Sequence, residues 1–76
     1  MPTEFNNPDV PIRLSVIIPT YNEEQRIEAT VAAINSYLER LPYQSEIVIV
    51  DDGSLDGTKQ IVRAFMGALP RIRLIE

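Results

Sequence analysis

A chain of 76 residues with no cysteine and no histidine is one small domain at most, without a disulfide framework, a thiolate metal site or an imidazole base. Its net charge of −4, with 7 scattered basic residues against 11 acidic ones, disfavours nucleic acid and anionic lipid as partners. No apolar run approaches the ~20 residues that span a bilayer, and the opening MPTEFNNPDVP is not a signal peptide, so the chain reads as cytoplasmic.

Residues 1–12 hold three of the six prolines and two asparagines, and read as a flexible lead-in to a domain over 13–76. Leu14 to Ile18, LSVII, is a short β-branched strand stopped by Pro19. It does not alternate, so it is expected to be buried on both faces, with Ser15 as its one polar residue. Asn22 to Arg40 reads as a helix, with Asn22 as cap, Gln25 reaching back to it, and Glu23 and Glu24 at the positive end of the dipole. Ile27, Val31, Ile34 and Leu38 give it one apolar stripe, and Pro42 closes it.

Glu46 to Val50, EIVIV, is a second apolar strand. A second helix follows, capped by Asp56 or Thr58, with Ile61, Val62, Phe65, Met66 and Leu69 on its apolar face and Pro70 as its stop. Ile72 to Ile75 reads as a third strand, interrupted by Arg73. Strand, helix, strand, helix, strand implies an α/β fold: a parallel βαβαβ unit of three strands and two helices, the half-domain of Rossmann-like nucleotide-binding sheets.

In such sheets ligands sit beyond the carboxyl ends of the strands. PTYNEE follows the first strand and DDGSLDGT the second, so the two polar clusters share that edge. Asp51 and Asp52, adjacent like charges at a strand end, repel one another unless helix N-termini, solvent or a ligand's donors satisfy them. A nucleobase amino or imino group and a ribose hydroxyl are such donors. Each residue of PTYNEE taken alone has a structural explanation, and a single strand-end aspartate is an ordinary turn residue. Two clusters on one edge favour a ligand site. Neither G-x-G-x-x-G nor G-x-x-x-x-G-K-[ST] is present, so the first loop is expected to meet base or sugar instead of wrapping a pyrophosphate.

LSVIIPTYNEEQRI followed by EIVIVDDGSLDGT resembles the start of the family-2 inverting glycosyltransferases, which have the GT-A fold. YNEE-x-RI, YLE and VDDGS-x-D-x-T are most similar to the dolichyl- or polyprenyl-phosphate branch. The resemblance implies transfer of mannose or glucose from UDP- or GDP-sugar to a lipid phosphate. It implies that Pro19, Thr20, Tyr21 and Glu23 line a nucleoside pocket, that Asp52 accepts a hydrogen bond from the base, and that Asp51 and Ser54 shape the second loop. It also implies Mg²⁺ or Mn²⁺ held by an acidic motif on a later strand, whose ligands this chain does not contain. By that comparison the chain is expected to be the N-terminal piece of a longer transferase. It would be inactive alone, without catalytic or metal-binding residues of its own, and its parent would work at the cytoplasmic face of a membrane. The first strand would then lack its outer neighbour, leaving an edge over 14–18 open to self-association. Two other classes stay open: a non-catalytic nucleotide-binding or assembly module, and a structural piece whose loops bind nothing.

Overall fold

A computed structural model describes residues 10–76. The lead-in expected over 1–12 lies outside the described residues as far as residue 9. Five elements follow in chain order: β1 (Leu14–Thr20), α1 (Ile27–Leu38), β2 (Ser45–Asp51), α2 (Thr58–Ala68) and β3 (Ile72–Ile75). The strands form one parallel sheet in the order β1-β2-β3, with Ile47 opposite both Val16 and Ile72. This is the α/β, βαβαβ arrangement expected from the alternation of patterns.

β2 is the central strand, and the unbroken apolar run of IVIV suits that place, since neighbours cover it on both sides. Ile47 and Ile49 are wholly buried in a core built with Ile27, Val31 and Leu38 of α1, Val62 of α2 and Ile72 of β3. Leu14, Val16 and Ile18 of β1 and Leu74 of β3 pack against the same cluster. Both helices therefore share one core. Fully burying each of these branched side chains contributes roughly 1.5–3 kcal/mol.

β1 departs from expectation. It alternates half-buried and exposed residues instead of being buried on both faces, and Ile17 is 57% exposed. Among the described residues it is covered on one face only, where Leu14, Val16 and Ile18 meet the core. Ser15 is exposed on the other face and donates to Glu46 Oε2 at 2.5 Å, while Arg73 Nη1 reaches Glu46 Oε1 at 3.3 Å. The polar residues of β1 and β3 thus meet on a carboxylate of β2. The strand also runs through Pro19 to Thr20, because an edge strand tolerates the missing N–H.

The first helix begins at Ile27, five residues after the expected cap Asn22. Asn22 adopts φ +52, outside the helical region, and the helix's own cap position, Arg26, makes no side-chain cap bond. The stripe Ile27, Val31 and Leu38 is buried as expected, with Ile34 half-buried. On the second helix Val62 is buried and Ile61 and Phe65 are half-buried, but Met66 lies outside the core. The end of the chain is tied to α2 by Arg63 and Lys59, which pair with Glu76 at 2.5 and 3.6 Å. No helix among the described residues is long and apolar enough to cross a membrane.

Candidate functional site

The loops after β1 and β2 converge on one rim, joined by a reciprocal set of hydrogen bonds. From the first loop, the N–H groups of Asn22, Glu23 and Glu24 donate to Ser54 Oγ (2.9 Å), Thr58 Oγ1 (2.8 Å) and Asp56 Oδ2 (3.2 Å). From the second, the Leu55 and Gly57 N–H groups donate to Asn22 Oδ1 (2.8 Å) and Glu24 Oε1 (2.5 Å). Glu24 therefore serves the N-terminus of α2 and not, as expected, that of its own helix. A Cβ at residue 57 would stand 2.8 Å from that Glu24 oxygen, so glycine gives the carboxylate room to approach. Gly57 is the cap residue of α2 and has no side chain to offer, so Asp56 Oδ1 takes the Thr58 N–H at 2.9 Å.

The aspartate doublet splits in direction. Asp51 lies on the same strand face as Ile47 and Ile49 and is buried. Its carboxylate accepts from the Thr20 hydroxyl (2.9 Å), the Ser54 hydroxyl (2.5 Å), the Ser54 N–H (2.8 Å) and the Gly53 N–H (3.1 Å). Burial pushes its pKa up, but the bonds from Ser54, Thr20 and Gly53 outweigh burial and hold it below the usual carboxylate value. Gly53 stands at φ +84, where a side chain would be strained, and this turn brings its N–H back onto Asp51. Asp52 points the other way. Its N–H continues the pairing to the Thr20 carbonyl at 2.9 Å, and its side chain is exposed. Repulsion between the two charges is thus relieved by four donors on one and water on the other.

The remaining residues sort in the same manner. Thr20 and Ser54 are buried in the support beneath the rim. Pro19 and Tyr21 are on its exposed side, Tyr21 with 54% of its surface open. Glu23 is half-buried and held by Arg26 at 2.6 Å. Asp56 is likewise held below its usual pKa, because donors from Thr58 and Glu24 outweigh a burial effect in the opposite direction. An open depression of about 350 Å³ beside the loop junction is lined by Asn22, Glu23, Glu24, Gln25, Arg26 and Asp56. With three carboxylates against one guanidinium, it is poorly suited to a diphosphate.

Sequence reasoning missed Glu24 and Thr58 as the partners that join the loops, and gave Asn22 the wrong task. These contacts link residues 32–35 positions apart, and no local pattern announces them. The inward turn of Asp51 does carry a signal: it continues the period-two face of Ile47 and Ile49.

These residues do not fit a divalent metal. Asp51 is fully engaged by hydroxyls and amides, and no group of three acidic side chains with metal-binding geometry occurs among the described residues.

The profile of the family described as glycosyl transferase family 2 matches residues 15–76. This chain belongs to that family. Among its curated relatives is a dolichyl-phosphate beta-glucosyltransferase of Dictyostelium discoideum, 36% identical over 80 residues, covering 96% of this chain and 24% of the relative. An undecaprenyl-phosphate 4-deoxy-4-formamido-L-arabinose transferase of Aeromonas hydrophila is 36% identical over 59 residues, covering 78% of this chain and 18% of the relative. A bactoprenol glucosyl transferase of Shigella phage SfV is 33% identical over 61 residues, covering 80% and 20%. Among solved structures, mannosyltransferase PcManGT from Pyrobaculum calidifontis, in complex with GDP-Man and Mn²⁺, superposes with a TM-score of 0.70 at 29% identity. It covers 96% of this chain and 24% of its own. This family 2 chain therefore has the GT-A type of βαβαβ sheet and spans between about a fifth and a quarter of the length of these relatives.

Proposed function

We propose that this family 2 chain is the nucleoside-recognising part of a transferase that moves a hexose from a UDP- or GDP-sugar to a polyprenyl or dolichyl phosphate. One observation supports the reading above the others: the joined loops turn Thr20, Asp51 and Ser54 inward and fully bonded, and leave Pro19, Tyr21 and Asp52 outward on one rim. Tyr21 offers the base a flat face, Pro19 a wall, and Asp52 an acceptor for an imino or amino group. Glu23, shared with Arg26, accepts from ribose. The solved neighbour holds Mn²⁺ with its GDP-Man, and a divalent ion serving the same donor here would need ligands other than the described residues of this chain.

Two of the named relatives are an undecaprenyl-phosphate and a dolichyl-phosphate transferase, and the solved neighbour holds GDP-Man with Mn²⁺, which supports the same substrate classes here. We assign no catalytic residue to the 76 residues, and they do not transfer sugar by themselves. The parent enzyme works at the cytoplasmic face of a membrane. The open edge of β1 pairs with another strand, and in the isolated chain that partner is a second copy.

Titration of the chain with UDP, GDP and their sugars, with and without Mg²⁺ or Mn²⁺, tests the reading. Weak, metal-independent binding that Asp52→Ala abolishes is expected. Absence of binding by every nucleotide would leave a structural role instead, and sugar transfer by the isolated chain would overturn its assignment as a recognition part.

A further inference from the structure

Asn22 has a geometry that neither helix capping nor core packing explains. It is the one non-glycine residue with positive φ among those described, at +52, and α1 starts too far along the chain for it to be a cap. Asparagine tolerates this conformation better than most residues, but the surroundings must still impose it. They do so through the other loop. The Asn22 N–H donates to Ser54 Oγ at 2.9 Å, and its Oδ1 accepts from the Leu55 N–H at 2.8 Å.

Followed onward, these bonds close a circuit. Ser54 Oγ donates to Asp51 Oδ1 at 2.5 Å, and the same oxygen takes the Thr20 hydroxyl at 2.9 Å. Thr20 returns to Asn22 along the chain through a single residue, Tyr21. Asp52 is gripped in the same way: its N–H reaches the Thr20 carbonyl at 2.9 Å, and the Gly53 N–H turns back to Asp51 Oδ2 at 3.1 Å. The two outward side chains thus hang on a partly buried ring of bonds, each fixed on both flanks. Asn22 is the member of the ring that bonds the second loop through both its backbone N–H and its side chain, at Ser54 and Leu55.

We infer that Asn22 is a positioning residue for nucleotide binding, setting the separation of Tyr21 from Asp52 so that the rim is formed before a nucleotide arrives. It touches no ligand. Its effect comes from removing the ordering cost that two free loops would impose on binding. This rests on the nucleoside-rim reading above.

Two substitutions in the full chain separate its two properties. Asn22→Gly keeps the positive φ and removes the acceptor, whereas Asn22→Asp keeps an acceptor oxygen. Amide hydrogen exchange by NMR should show the Leu55 N–H exchanging about fivefold faster in Asn22→Gly, the factor for one net hydrogen bond, and near wild type in Asn22→Asp. The dissociation constant for the tighter of UDP and GDP should rise by about the same factor in Asn22→Gly and recover in Asn22→Asp. In a Tyr21→Leu background, Asn22→Gly should change affinity little, because there is no longer a ring to position. A residue that only supports the loop would give the same factor in both backgrounds. Equal factors, or wild-type Leu55 exchange in Asn22→Gly, overturn the inference while nucleotide binding by the wild type keeps the rim reading. Failure of the wild type to bind either nucleotide overturns both.

Discussion

Replacing Asp51 by alanine should be the most damaging change at the rim, and the reason is structural. The carboxylate takes four donors: two hydroxyls, from Thr20 and Ser54, and two N–H groups, from Ser54 and Gly53. A hydrogen bond to a charged group contributes about 1.5–3 kcal/mol net, so four independent bonds would exceed 6 kcal/mol. They are not independent. Gly53 is exposed and can bond water, the hydroxyls can turn to other acceptors, and nearby solvent screens the charge. The Ser54 N–H and the packing of two buried hydroxyls remain, which puts the loss at about 3 kcal/mol. For a domain of this size total stability is on the order of 4–11 kcal/mol, and the midpoint of thermal unfolding should fall by roughly 15 °C.

The charge adds a pH signature. Asp51 is held below its unfolded pKa, so its contribution is complete above the unfolded value and is lost as pH falls through the folded value. Asp51→Asn keeps one acceptor oxygen and no titration, so it should lose less stability than Asp51→Ala and be less sensitive to acid than the wild type. Urea unfolding followed by circular dichroism, at pH 7 and in steps down to pH 3, measures both effects. A loss under about 1 kcal/mol for Asp51→Ala, or the same acid sensitivity in wild type and Asp51→Asn, would refute the reasoning.

Asp52→Ala should leave stability within about 0.5 kcal/mol, because its side chain is exposed, yet abolish nucleotide binding; destabilisation by urea unfolding would place the residue in the scaffold instead. Ile49→Ala, at a wholly buried position of the central strand, should cost about 2–5 kcal/mol in the same assay, and a change below 1 would mean the core is not where these contacts put it. Sedimentation should show concentration-dependent association of the isolated chain, weakened by Ile17→Lys on the exposed face of β1; a wild type that stays monomeric at every concentration contradicts pairing through that edge.

The order of elements was legible because the signals for it are local. IVIV reads as a covered strand from its shortness and β-branching, and the spacing of Ile27, Val31 and Leu38 gives a helix its buried stripe. Boundaries were less legible, for a physical reason. Asn22, Glu23 and Glu24 carry every mark of a helix start, but their N–H groups go to Ser54, Thr58 and Asp56, and those distant partners outbid the helix. Ile17 reads as core in LSVII, and it is exposed because no element among the described residues lies over that face of β1. At the rim, the residues alone marked Asp51 and Asp52 only as a pair, and strand alternation divides them into one buried and one exposed side chain, as the separate roles implied by the family resemblance require. The bonds within DDGS beneath them are local, whereas those from Thr20 and Asn22 span more than thirty residues and had no trace in either motif.

In the proposed function, Tyr21 and Asp52, carried outward on the joined loops, receive a nucleoside. Amide chemical shifts of the full chain during titration with UDP and with GDP test it most directly. Shifts concentrated at residues 19–24 and 51–55 are expected for one of the two nucleotides. Saturable shifts at the opposite end of the sheet, around residues 41–45 and 71, or none with either nucleotide, would contradict it.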